Sequence, residues 1–264
     1  MQVIIRPTAE AAIQLAARII EKRIRQFPDT TLGLATGVTM ERLYAILTDC
    51  HKNNGLDFSL VKTFNLDEYI GLSSTDECSY RYYMNQHLFN KVNIDLRNTH
   101  LPDGMASDLK IECEKYEKRI KTVGGIDLQL LGIGKAGHIG FNEPLSALRS
   151  RTRDKSLTPM TIAQNSPLFK RSEDMPRRAL TMGIGTILEA RELLLIVTGK
   201  SKAEVLAKAV EGPITSMISA SAIQLHERCT VIVDEAAAER LQAKDYYYWI
   251  FESEPEWEEY REEI

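Results

Sequence analysis

Short apolar runs alternate along this chain with longer stretches whose apolar residues recur at helical spacing. VIIRP reads as a strand, and the alanines, isoleucines and leucines from Ala9 to Phe27 predict an amphipathic helix. TLGLAT predicts a strand ending at Gly37, with a helix over 39–53. VKTFNLDEY alternates as a single strand, and 79–90 and 107–122 read as helices. IDLQLLGIG, ELLLIVTG and CTVIVDE are continuous apolar runs, as expected of parallel strands buried on both faces. SKAEVLAKAVEG is a helix between the last two. The alternation predicts an α/β fold built on a doubly wound, mostly parallel open sheet. In such sheets ligands bind beyond the carboxyl ends of the strands, so the residues after each strand carry the functional question.

Residues 145–178 break the rhythm. Basic side chains there outnumber Asp154, Glu173 and Asp174, and Pro159, Pro167 and Pro176 interrupt any periodicity. Such a stretch is either a basic lid-like insert or a solvated excursion. We expect one domain over 1–250 containing this insert, followed by an acidic tail over 251–264, frayed or paired with the insert. The net charge of −4 gives no reason to expect nucleic acid. No apolar run is long enough for a membrane span. The four cysteines form no C-x-x-C pair and the start resembles no secretion signal, so we expect reduced thiols and a cytoplasmic location. The histidines lack clustered ligand spacing, and no metal is assigned.

Three strand ends could carry chemistry. In LATGVT, Gly37 permits a sharp turn, Thr36 and Thr39 offer hydroxyls, and the following helix would present its amides to an anion. In VTGKSKAE, Ser201 and Glu204 have capping-box spacing, and Lys200 and Lys202 add positive charge. The GKS is not a P-loop, because Leu194 stands where the first glycine is required. In FNLDEY, Asp67 and Glu68 close an apolar strand; Asp67 either caps a turn or serves as a general base.

The stretch GIGKAGHIGFNEP, residues 132–144, matches G-x-G-x-x-G after a strand. A dinucleotide fingerprint should open a long helix and be followed about 20 residues later by an acid. Here Gly140 and Pro144 interrupt the sequence, and Arg151, Thr152 and Arg153 stand at that distance. The alternative is a close-approach loop holding His138 and Glu143 toward a small ligand. An imidazole oriented by a carboxylate can take and return a proton near neutral pH; the bland reading is a structural histidine.

Together FNLDEYIGL (64–72), GIG-x-x-GHIGFNEP (132–144), SRTR (150–153) and IVTGKSKA (196–203) resemble the glucosamine-6-phosphate deaminase family, from about residue 1 to about residue 250. The resemblance implies an open sheet of modified Rossmann type, no cofactor, and conversion of D-glucosamine 6-phosphate and water to D-fructose 6-phosphate and ammonia. It implies a phosphate seat at Thr36, Gly37, Thr39 and Lys202, with Tyr80 nearby. His138 backed by Glu143 would open the sugar ring, and Asp67 would move a proton from C2 to C1. It also implies a homohexamer whose subunit interfaces bind N-acetylglucosamine 6-phosphate as an activator through Ser146, Arg153, Lys155 and Tyr248. Three positions depart from the family pattern. Ala136 stands in place of an aspartate, Met40 in place of a proline, and Pro167 in place of a phosphate-binding arginine for which Lys170 or Arg171 would substitute. These departures leave room for a sugar-phosphate sensor without turnover. A related isomerase for galactosamine 6-phosphate or a 6-phosphogluconolactonase is the other alternative.

Overall fold

The computed structural model describes residues 1–261. Ten strands form in chain order: β1 (Gln2–Arg6), β2 (Thr31–Leu34), β3 (Lys62–Asn65), β4 (Asp67–Tyr69), β5 (Thr99–His100), β6 (Leu128–Leu131), β7 (Arg153–Ser156), β8 (Arg178–Thr181), β9 (Glu192–Val197) and β10 (Cys229–Asp234). The α-helices are α1 (Ala9–Gln26), α2 (Val38–Asn54), α3 (Tyr80–His87), α4 (Leu109–Thr122), α5 (Pro159–Asn165), α6 (Ile184–Leu188), α7 (Ala203–Val210), α8 (Lys244–Ser253) and α9 (Glu258–Arg261).

Seven strands make one parallel sheet in the order β1-β10-β9-β6-β2-β3-β5. The apolar runs predicted as buried strands supply its centre: β2 and β6 are buried throughout, β9 and β10 almost so. Parallel strands need crossover helices, and those helices cover the faces. From β2 the chain proceeds outward to β3 and β5; from the adjacent β6 it proceeds the other way to β9 and β10. The gap between β2 and β6 is therefore the topological switch point, where such sheets bind ligands.

The single strand expected over VKTFNLDEY is two. The Leu66 amide donates to the Leu34 carbonyl (3.1 Å) in the main sheet, while the Leu66 carbonyl accepts from the Met182 amide (2.6 Å). Beyond it the chain enters a second, antiparallel sheet, β4-β8-β7. The 145–178 insert supplies β7 and α5 and leads into β8, so it is folded against β4 rather than trailing in solvent.

The C-terminal residues expected as an acidic tail pack back onto the start of the chain as far as they are described. Phe251, Trp257 and Tyr260 are buried in the main core. Arg6 stacks over Phe251, the Trp257 indole donates to Gln2, and Lys22 pairs with Glu259. The tail's aromatic residues drive this packing, and its acids meet β1 and α1 rather than the insert. Residues 262–264 of that tail lie outside the described residues. The four cysteines are free thiols, and no described helix is long and apolar enough to cross a membrane.

Candidate active site

A cleft of about 560 Å³ opens over the switch point. The loops after β2, β3, β6 and β9 all reach it, bringing Thr36, Gly37, Thr39, Asp67, His138 and Lys202 to one space, with Tyr80 from α3. Glu143 does not line the cleft; it lies behind His138.

At one end, Gly37 turns the chain with φ +123°, a conformation that L side chains rarely adopt. α2 starts immediately afterwards with no side chain capping it, which leaves its first amides available to an anion. The Tyr83 hydroxyl holds the turn, accepting from the Gly37 amide (3.2 Å) and donating to its carbonyl (2.9 Å). Thr39 meets Thr198 beyond β9 at 3.4 Å, so the two loops are joined. Lys202 donates to the Ile133 carbonyl (2.7 Å). Burial, then the charge of Lys135, lowers its ammonium to about 8. The expected capping box is not formed. A 3₁₀ turn over Lys200–Lys202 leads into α7, and Glu204 pairs with Lys208 instead of reaching back to Ser201.

The G-x-G-x-x-G stretch opens no helix; residues 132–144 form a chain of turns. Gly134 is required by close approach: a Cβ there would lie 2.0 Å from His138 Nε2. Gly137, at φ +80°, lets the Gly134 carbonyl accept its amide (2.9 Å), and the Gly134 amide donates to the His138 carbonyl (2.8 Å). His138 Nδ1 meets Glu143 Oε2 at 3.2 Å, while Glu143 Oε1 accepts the Thr158 amide at 3.1 Å. Burial alone would raise the Glu143 carboxyl, but hydrogen bonds from His138, the Thr161 hydroxyl and the Thr158 amide hold it at about 2. An ionised Glu143 fixes a proton on Nδ1 and leaves Nε2 toward the cleft.

Asp67 follows the Leu66 hinge. Burial, then the neighbouring charge of Glu68, pushes its carboxyl up to about 8. Strand alternation sends Glu68 away from Asp67, where it accepts the amides of Tyr69, Tyr80 and Arg81, each at 2.9 Å. Of the two acids at this strand end, only Asp67 lines the cleft.

Several functional positions were not singled out from the sequence. Asn142 donates to the Ile139 and Met182 carbonyls and accepts from Arg153, tying the histidine loop to the antiparallel sheet. Asn165 donates to the Tyr69 hydroxyl, closing α5 over an aromatic cluster of Tyr69, Tyr80, Phe141 and Phe169. No local pattern marked either residue: Asn142 stands between Phe141 and Glu143 inside the histidine loop. The expected arginine substitutes are occupied elsewhere: Lys170 pairs with Glu77 and Arg171 with Asp174, both exposed. Of the residues expected at an interface site, Ser146 and Arg153 lie beside the Glu143 loop, Lys155 shares β7 with Arg153, and Tyr248 stands on α8 with its hydroxyl on Glu235. The chain by itself does not bring Tyr248 to the other three.

The family model for glucosamine-6-phosphate isomerases and 6-phosphogluconolactonases matches residues 6–232. The chain is 47% identical over 247 residues to the glucosamine-6-phosphate deaminase of Shewanella woodyi, covering 94% of each. It is 47% identical to that of an Arthrobacter species, covering 98% of this chain and 99% of that protein. A solved structure described as a monomeric glucosamine-6-phosphate deaminase superposes with TM-score 0.89 at 44% identity, covering 91% of this chain and all of that one (100%). The 6-phosphogluconolactonase of Trypanosoma brucei, at 20% identity and TM-score 0.73, shares the fold. The seven-stranded parallel sheet, the cleft at its switch point and these matches agree, and the chain belongs to the glucosamine-6-phosphate isomerase and 6-phosphogluconolactonase family.

Proposed function

We propose that the cleft converts D-glucosamine 6-phosphate and water to D-fructose 6-phosphate and ammonia. One observation carries this reading: a buried carboxylate with no hydrogen-bond donor among the described residues, Asp67, shares a cleft with an anion seat and an imidazole that is backed by a carboxylate. The phosphate sits on the α2 amino terminus with Thr36, Gly37, Thr39 and Lys202, which fixes the sugar's reach. His138 carries the anomeric hydroxyl proton to the ring oxygen, and Glu143 keeps its imidazole oriented. Asp67 then removes the proton from C2 of the opened sugar and returns it at C1, while one proton of the substrate's ammonium passes to O1. The nitrogen is left on C2 as an imine, and water replaces it to give the ketone and ammonia. A carboxylate that ionises reluctantly is a strong base once it has ionised, and the substrate's ammonium helps it do so. Tyr80 and its aromatic neighbours wall the sugar side of the cleft.

The test is ammonia and fructose 6-phosphate release from purified protein and glucosamine 6-phosphate. Binding without turnover would establish the sensor instead. Faster release from galactosamine 6-phosphate, or hydrolysis of 6-phosphogluconolactone, would assign the cleft to those substrates. A lactonase has no need of a base at C2, which is the step Asp67 serves here.

The same reading extends to regulation in a reducing, cytoplasmic setting. Among the described residues Ser146 Oγ and one Arg153 nitrogen are buried without partners, which supports a site completed by a second copy bringing Tyr248 and by N-acetylglucosamine 6-phosphate on Arg153 and Lys155. A homohexamer by light scattering, with activity raised by that sugar, is the expected result. A monomer indifferent to it, in keeping with the monomeric relative, would remove this extension.

A further inference from the structure

The anion end of the cleft holds a second ammonium group that the roles above leave unused. Lys135 lines the cleft beside Lys202. It lies close enough for its charge to bear on that of Lys202. Among the described residues neither lysine forms an ion pair, and Lys202 Nζ is bonded to a neutral carbonyl. The carboxylates that reach the rim are engaged otherwise: Glu77 pairs with Lys170, and Glu41 lies in the first turn of α2, where it complements that helix. Within the loop itself, residues 132–142 include no acid, and Glu143 turns behind His138. Two like charges held together without a counter-charge repel each other, and a dianion between them removes that cost.

The backbone prepares Lys135 for this task. The turns at Gly134 and Gly137 fix the loop, and the Lys135 amide donates to Gln164 Oε1 of α5 at 3.3 Å. The side chain is exposed, so its ammonium keeps the freedom to follow a ligand into the cleft. We infer that Lys135 is a phosphate-binding residue, completing with Lys202 and the α2 amino terminus the seat for the substrate's phosphate. The inference rests on the sugar-phosphate reading above. It also accounts for the seat's charge without Lys170 or Arg171, whose charges are already paired with Glu77 and Asp174.

The experiment compares wild type, Lys135→Ala, Lys135→Gln and Lys135→Arg in two assays. One is steady-state turnover of glucosamine 6-phosphate. The other is calorimetric binding of sorbitol 6-phosphate, an open-chain phosphate that cannot react, with inorganic phosphate as competitor. Loss of one charge-assisted contact predicts KM and Kd raised about tenfold to a hundredfold in the alanine and glutamine variants, with kcat falling far less. The competitor should weaken in step, and the arginine variant should recover most of the affinity. Unchanged KM and Kd in Lys135→Ala, or equal loss in Lys135→Arg, would overturn the assignment. A wild type that neither binds sorbitol 6-phosphate nor turns over glucosamine 6-phosphate would remove the reading beneath it, an outcome distinct from a wild type that does both beside an unaffected variant.

Discussion

Asp67 and Glu143 are almost equally hidden, at 7% and 2% exposure, yet one carboxyl is pushed up to about 8 and the other held at about 2. Burial acts on both in the same direction. The difference is in donors. Glu143 lies inside a turn-rich loop whose neighbours His138, Thr158 and Thr161 all point hydrogen atoms at it. Asp67 sits where the chain leaves one sheet for another, beside Gly140, with no donor among the described residues directed at it. One environment builds a permanent anion that orients an imidazole. The other builds a carboxyl that can hold a proton and release it, as a group carrying a proton between two carbons must.

The largest expected effect breaks the comparison at Asp67. Asp67→Asn should lower turnover on the order of a thousandfold while sorbitol 6-phosphate still binds. Retained activity within tenfold would remove Asp67 as the base. The same variant should alter stability in a specific way. The folded value of about 8 lies above the ordinary 3.8, so the folded chain holds a proton that the unfolded chain has lost between those limits. Stability from this group is present below 3.8 and declines as pH rises toward 8. Replacing Asp67 by asparagine should flatten that decline in thermal melts; an unchanged slope would show that the carboxyl is not held protonated.

Gly134→Ala attacks the other side. A Cβ 2.0 Å from His138 Nε2 must displace the ring from its place over the cleft. A shift of about 1 Å predicts roughly a hundredfold loss in kcat/KM. Glycine-like activity in the alanine variant would mean that the ring need not occupy its present position.

Glu143→Gln is expected to cost less, about tenfold to a hundredfold in kcat, because an amide can still accept from the Thr158 amide while losing its charge for the imidazole. Its stability signature is the reverse of that at Asp67. With a folded value near 2 against an ordinary 4.5, Glu143 stabilises the fold above 4.5 and loses that contribution as pH falls toward 2. The glutamine variant should be less stable at neutral pH and less acid-sensitive. Opposite stability slopes at the two sites, from one set of melts, would support the donor argument directly; parallel slopes would refute it.

Much of this was legible in the chain, and the exceptions have physical causes. Continuous apolar runs marked β6, β9 and β10 because strands covered on both faces have no polar alternation to show. The break at Leu66 was invisible because Leu66 is buried in either sheet, and alternation continues across it. β7, with the sequence RDKS, is half exposed and pairs with β8 through its backbone and an exposed Asp154–Arg178 ion pair, so its side chains read as an insert. The motif residues facing the cleft were found because chemistry restricts their type. Asn142 and Asn165 act through neighbours brought in from β8 and β4, and no local pattern announces such partners.

The smallest expected effect concerns Ala136. The family pattern has an aspartate at this position, two residues before His138. The structure gives Nδ1 of His138 to Glu143 and turns Nε2 toward Gly134, so a carboxylate at 136 is not needed to orient the ring. It would stand next to Lys135 instead. Ala136→Asp should therefore change kcat less than tenfold, and its main effect should be a weaker affinity for phosphate as the new charge offsets that of Lys135. Combining Ala136→Asp with Lys135→Ala tests this coupling: the double variant should bind sorbitol 6-phosphate little worse than Lys135→Ala alone. A large rise in kcat for Ala136→Asp would show instead that the histidine lacks a partner that Glu143 does not supply, and the contrast between the two carboxylates would have to include a third.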